Sequence, residues 1–486
     1  MTTRRDMLKG AAALSATAAL SPALAASPKE APLGFHNAPS TGVAPIPMRL
    51  IQGRMPSGLE GTLYRNGPAH FRRGGDISGH WFDGDGMVRA FSLRDGQATF
   101  SARFVDTHKR RLEEEAGRLI MPGFGSRAAP GAPVTSADDT NAANTSLLSV
   151  QDQLWALWEA GSPYGVNPDD LSTVGPLVLR DDLAHMPFSA HPKVSPDGTI
   201  WNFGLAFGRA KVFLWRLNAD GSVKASGLID LPRASYIHDW VVSPSKLILP
   251  LQPWVLAAPR PPFVQSLRWR PELGMQLLVI DKDDFSQQTI YELPPGSFFH
   301  TGDAYEEADG TIRFDWCLAP EPTLDAQDGR SILLGQRSDR TNPRMCAAVL
   351  RPDGSADLQQ TELDAEFAQI DPRERSRRRQ RVYSVSVGAR SPDSSFHFNA
   401  VQSFNWETGR RDLFDFGPRT LSEEAIFVPR AETSAGGWLL APTLSLDDEV
   451  TDLHIFNASA IADGPVATYR APLAVPMGFH GVWVGS

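Results

Sequence analysis

Asp-Gly pairs recur between short apolar runs along this chain, and no other feature limits its possible folds as tightly. They stand in RDGQATF (Asp95-Gly96), SPDGTIWNFG (Asp197-Gly198), NADGSVKASG (Asp220-Gly221), EADGTIRFDW (Asp309-Gly310) and RPDGSADL (Asp353-Gly354). Asp-Gly favours tight hairpins because both central residues take positive φ. The flanking runs, such as KVFLWRL (211–217), KLILPLQ (246–252) and MQLLVID (275–281), read as strands. With 41 glycines and 39 prolines, any long helix is interrupted. Many short strands with regular turn signals mean a sandwich, a barrel or a propeller. Length arbitrates: about 460 residues beyond a leader is too long for one sandwich, and a seventh of that, roughly 65, accommodates a four-stranded blade with its loops. The expected fold is an all-β propeller, although no clean repeat motif accompanies the turns.

The leader is MTTRRDMLKGAAALSATAALSPALAAS, with paired Arg4-Arg5, an Ala/Leu run and the small residues Ala23-Leu24-Ala25. That layout predicts a twin-arginine-type export signal over 1–25 and a periplasmic destination. Such export carries proteins already folded, which is compatible with a metal loaded beforehand. A 26–47 extension and a single domain over 48–486 complete the expected organisation. No later segment reaches the roughly 18 apolar residues of a membrane span. An excess of 56 acidic over 47 basic residues, net −9, argues against a nucleic-acid partner. Two cysteines, Cys317 and Cys346, are too few for a disulfide framework, and their spacing leaves pairing open.

Four of the eleven histidines share a context, each where an apolar strand begins or ends: SAHPKVSPDG (His191), YIHDWVVSP (His238), SFFHTGDAYE (His300) and MGFHGVWVG (His480). Successive intervals of 47, 62 and 180 residues place no two on one helix face or hairpin, unlike a zinc finger or HExxH site. One ion held by all four takes a ligand from each of several blades and sits on the propeller axis. His480 is conspicuous because it stands in an apolar stretch at the C-terminal end of the sequence, where chains usually fray.

Longer blocks carry a resemblance. GTLYRNGPAHF (61–71), HWFDGDGMVRAFSL (80–93), RFVDTHK (103–109), AANTSLLSV (142–150) and LWALWEAGSPYGV (154–166) are followed by AHP, HDW, FHTGDAYE, EFAQIDPR (366–373), EEAIFVPR (423–430) and GFHGVWVG. In this order, from about residue 48 to 486, they resemble the carotenoid cleavage oxygenases. The resemblance implies a seven-bladed β-propeller whose loops cap an axial site, with one Fe(II) per chain on His191, His238, His300 and His480. It implies glutamates hydrogen-bonded to three of the histidines, matched by Glu159, Glu366 and Glu424. Glu423 is the one-residue alternative to Glu424, and the spacing to FVPR favours Glu424. Negative charge one step out from four neutral imidazoles is what such a site needs to orient the rings and offset the cation. Thr145 matches a threonine whose methyl crowds the site and leaves one position for O2.

The implied reaction is cleavage of an alkene C=C by O2, the co-substrate, into two carbonyl products, within an apolar tunnel for which Phe124, Trp254 and Phe299 are candidate walls. The implied substrate is a small apolar alkene. Stilbene-cleaving relatives hold a phenol with a lysine and a tyrosine, yet no lysine lies between Lys109 and Lys193, and Phe124 stands near the tyrosine's place. A polyene of the apocarotenoid class is therefore favoured over a lignostilbene or phenylpropanoid. A non-cleaving isomerase or binding relative is the alternative class. PWVLAAPRPPFVQSLRW (253–269) corresponds to a tunnel-mouth segment that dips into membranes in the family, or else is a plain Pro-rich cover. FDGDG (82–86) reads as a tight turn lacking the calcium-loop glutamate, and RERSRRRQR (373–381) as a solvated basic loop.

Overall fold

The computed structural model describes residues 32–206, 209–258, 260–336, 341–389, 398–430 and 435–486; the segment 1–25, expected to be an export signal, lies outside them. The described chain is mostly strand, with two short α-helices, His108–Ala116 and Ala326–Leu333. Neither is long and apolar enough to cross a membrane. Five separate four-stranded antiparallel sheets succeed one another, opening at Ser146–Val150, Lys193–Val194, Val241–Val242, Ser297–Glu306 and Glu366–Gln369. Opening strands of neighbouring sheets touch: Val241–Val242 meets Ser297–Glu306, which meets Glu366–Gln369. Facing sheets bury their apolar sides together, as where Ile248, Leu277 and Val279 pack with Phe298, Phe314 and Trp316. The arrangement is propeller-like.

Apart from two short two-stranded ribbons, the remaining strands form one ten-stranded sheet rather than two equal blades. Val43–Gly53 is its junction, pairing with Gln97–Phe104 through Val43–Met48 and with Pro465–Arg470 through Arg49–Gly53. The strand order thus begins at Val43, inside the stretch expected to be an extension. Phe35 and Ala38 within that stretch are buried. At the sheet's edge, Gly481–Gly485 pairs residue for residue with Gly61–Arg65. The C-terminal segment is therefore a strand, although only Phe479 among its large apolar side chains is buried; Val482 and Trp483 remain partly exposed.

The Asp-Gly turns lie where expected, with a different geometry. Only at Asp95-Gly96 do both residues take positive φ, 50° and 73°. At 198, 221, 310 and 354 glycine alone does so. The preceding aspartates instead accept the backbone N–H two residues on, at 2.9–3.0 Å. These are longer loops of type I geometry with glycine in the bulge position, closed by the aspartate side chain.

One segment departs from its sequence reading, and two others show contacts that their readings did not specify. In RERSRRRQR, Arg379 is buried against Asp303 and Asp315, and Arg375 reaches the Val194 carbonyl at 3.0 Å. Carboxylates distant in sequence neutralise Arg379. In FDGDG, Asp83 accepts from Gly125 N and the Ser126 hydroxyl, and Asp85 pairs with Lys109 at 2.7 Å. Both carboxylates anchor neighbouring chain. In 253–269, Trp254, Val264 and Leu267 are buried with Phe124 and Phe299, while Leu256, Phe263 and Trp269 are half-buried. Cys317 and Cys346 are buried free thiols.

Deletion of 478–486 strips the whole partner of Gly61–Arg65 and uncovers a strand edge. Loss of buried Phe479 adds about 1.5–3 kcal/mol. The truncated protein is expected to be insoluble or to lack a cooperative thermal transition by circular dichroism.

Candidate metal centre

The opening strands bring the four histidines together. His191, His238 and His480 each stand just before such a strand or the closing strand, and His300 lies within Ser297–Glu306. One nitrogen from each lies within 4.8 Å of the others. Metal–nitrogen bonds of about 2.1 Å let one ion reach all four after shifts of a few tenths of an ångström. All four histidines are buried. Burial, then the neighbouring rings, hold His191 and His300 well below the ordinary imidazole range. Both are neutral at pH 7, with lone pairs free to bind a cation.

Three carboxylates fix the rings. His300 Nδ1 meets Glu366 Oε2 at 2.6 Å, His480 Nδ1 meets Glu424 Oε1 at 3.1 Å, and His238 Nδ1 meets Glu159 Oε1. An ionised carboxylate only accepts, so each Nδ1 carries the proton and each Nε2 keeps its lone pair toward the centre. His300 Nε2 is buried with no protein partner, as a metal ligand's atom would be. Burial pushes the Glu366 carboxyl up to about 8; keeping it ionised at neutral pH calls for a cation nearby. Burial also opposes the charge on Glu424, but His480 and Arg65 outweigh it and hold that carboxyl down at about 2. A divalent ion fits the donor set.

Neighbouring Glu423 and Glu424 divide two tasks. Glu424 takes the His480 ring, Arg65 at 2.7 Å and Gln369 at 2.9 Å. Glu423 takes Arg65 at 3.1 Å, Arg89 at 3.3 Å and the Gly478 N–H at 2.6 Å, holding the chain that leads into His480. Sequence reasoning missed Arg65, Gln369 and Tyr236. The Tyr236 hydroxyl donates to Glu159 at 2.8 Å. Its spacing of two from His238 in YIHDW puts both on one face of an extended segment, which was a usable signal. It also missed Phe367. That ring lies 4.6 Å from His300 and 5.2 Å from His480, while its N–H donates to Glu366 at 3.0 Å. Phe367 has φ of 57°, strained for an aromatic residue.

A cavity of about 310 Å³ opens beside the histidines. His238, His300, His480, Glu159, Glu366 and Thr145 line one end, and Phe82, Phe124, Phe263, Phe299, Phe367 and Phe479 supply much of the wall. Phe124 and Phe299 are thus where expected. Trp254 is not on this wall; it packs edge-on behind it against Tyr236, 5.3 Å away. Thr145 reaches the cavity with its hydroxyl turned to Asn144 Oδ1 at 3.0 Å. No lysine, arginine or tyrosine lines the cavity among the described residues.

Residues 35–485 match the family model described as retinal pigment epithelial membrane protein. The chain belongs to this family, the carotenoid cleavage oxygenases. It is an alkene-cleaving dioxygenase of the carotenoid-oxygenase type. An apocarotenoid-15,15'-oxygenase of Synechocystis is 30% identical over 458 residues, spanning 89% of this chain and 92% of that one. An isoeugenol monooxygenase of Pseudomonas nitroreducens is 28% identical, spanning 89% and 94%. A resveratrol cleavage oxygenase of Aspergillus fumigatus is 25% identical, spanning 89% and 91%. Among solved structures, cobalt-substituted Synechocystis apocarotenoid oxygenase superposes with a TM-score of 0.84 at 28% identity, over 93% of this chain and 98% of that one.

The two glutamate tasks separate by mutation. Glu366→Gln is expected to lower metal retention about 10–100-fold with the fold intact, read by metal analysis after dialysis. Glu423→Gln leaves Arg89 without its carboxylate and is expected to cost about 3–5 kcal/mol, read by urea denaturation. At Phe367, glycine tolerates the positive φ and alanine does not. Phe367→Gly should therefore be about 1 kcal/mol more stable than Phe367→Ala, measured on the metal-free protein.

Proposed function

We propose that the chain is an Fe(II)-dependent dioxygenase that cleaves one C=C bond of an apocarotenoid-like polyene with O2, yielding two carbonyl products and placing one oxygen atom in each. The observation that carries this reading is the four-histidine cluster at the end of an aromatic cavity that, among the described residues, has no lysine, arginine or tyrosine on its wall. Counting the ten-stranded sheet as two blades sharing Val43–Gly53 gives the seven that the family resemblance implies.

His191, His238, His300 and His480 hold the iron in this reading, and bound there it supplies the redox centre that activates O2. The chain itself orients and excludes. Glu159, Glu366 and Glu424 fix the rings and offset the buried charge. The phenylalanines take up the polyene by apolar contact and keep water from the scissile bond. Thr145, at the metal end of the cavity, narrows the space left for O2. No protein group has to donate or remove a proton, because alkene plus O2 already balances to two carbonyls.

The isoeugenol and resveratrol relatives support a second reading, cleavage of a phenylpropanoid alkene. Against it, Tyr236 sits behind Phe124 and Phe299 with its hydroxyl bound to Glu159, so it does not face a ligand.

Purified protein is expected to carry about one iron per chain, with His238→Ala losing most of it. Offered apocarotenals, stilbenes and isoeugenol, it should cleave the polyene and consume one O2 per event, with paired shorter aldehydes seen by mass spectrometry. Preferential cleavage of the phenolic alkenes would sink the polyene assignment. Isomers formed without O2 uptake would sink cleavage itself.

A further inference from the structure

Three of the four histidines have a glutamate; His191 has none. The nearest carboxylate to its Nδ1 is Asp239 Oδ1, at 3.8 Å. Asp239 follows His238 directly and is buried. Its Oδ2 accepts the Thr301 N–H at 2.8 Å, with the Thr301 hydroxyl 2.7 Å away, and Thr301 follows His300. Its Oδ1 takes Lys193 Nζ at 2.8 Å, two residues past His191. Trp240, next in the chain, donates its indole N–H to the His191 carbonyl at 2.9 Å.

We infer that Asp239 is the positioning residue for the metal site, a clamp that ties the strands carrying His191, His238 and His300 and supplies the negative charge that His191 otherwise lacks. The argument is geometric. One side chain bonds to the residue one past His300 and to the residue two past His191, while standing next to His238. A rigid tie so close to each ring limits how far any of them can move apart when the centre is empty. The carboxylate is shared with a lysine and two threonine donors, so its field at His191 is weaker than that of a dedicated glutamate. This leaves His191 the ring whose placement depends most on the backbone ties. The inference rests on the four-histidine reading above.

The test uses full-length protein loaded with iron, and separately with Co(II) as a spectroscopic probe of ligand geometry. Asp239→Asn keeps the shape and the Thr301 acceptor and removes the charge. Lys193→Met keeps the charge and removes the tie to the His191 strand. Asp303→Asn, on the His300 strand but paired with Arg379, is the control for general weakening. Both test variants are expected to lose metal on dialysis about tenfold faster than wild type and to shift the visible Co(II) bands. The control should leave those bands in place. Wild-type retention and unchanged bands in both test variants would overturn the clamp. If Asp239→Asn does not fold, Lys193→Met decides alone by the same readout. Wild-type protein that binds neither ion instead overturns the four-histidine reading, a separate failure.

Discussion

Ring closure governs this structure. The sheet edge at Gly61–Pro68 is completed by Gly481–Gly485, and Val43–Gly53 stitches early strands to late ones. A circular arrangement of sheets has no end to fray, but only while that seam holds. The seam also coincides with chemistry. Arg65, inside the first of these strands, bonds both Glu423 and Glu424 and the Phe479 carbonyl. The pairing that shuts the ring therefore also delivers His480 to the other three histidines.

Buried charge is the second constraint. Glu159, Glu366, Glu424 and Asp239 surround the four imidazole rings, with Arg65 and Lys193 as nearby cations. Isolated buried carboxylates are costly, and Glu366 shows that cost in the upward push on its carboxyl. A divalent ion among the rings reverses the sign of the problem by making the same negative charge favourable. The centre is thus poised to be stable when filled and strained when empty.

Much of this was legible in the sequence because the residues that touch the centre stand inside distinctive local blocks. HDW, FHTGDAYE, EEAIFVPR and GFHGVWVG each carry their ligand or carboxylate in a recognisable frame. What was not legible depends on contacts between sheets. A buried arginine such as Arg65 or Arg379 looks no different in sequence from a solvated one, because its carboxylates lie far along the chain. Trp254 is a candidate wall residue through the family resemblance, and only the packing on Tyr236 turns it away from the cavity. The Asp-Gly turns were found, but their loop geometry was not, because the aspartate side chain can replace the backbone conformation that the pair suggests. Phe367 left no signal at all, since its positive φ comes from an irregularity in the strand pairing just after Glu366.

The seam has a consequence in time. Gly61 and Gly485 are partners separated by more than 400 residues, and contacts of such range form slowly. A nascent chain that has not yet extended past His480 can hold at most three of the four rings and lacks the strand that locks Arg65 in place. Metal capture at full coordination is thus confined to molecules whose synthesis has passed that point and whose ring has shut.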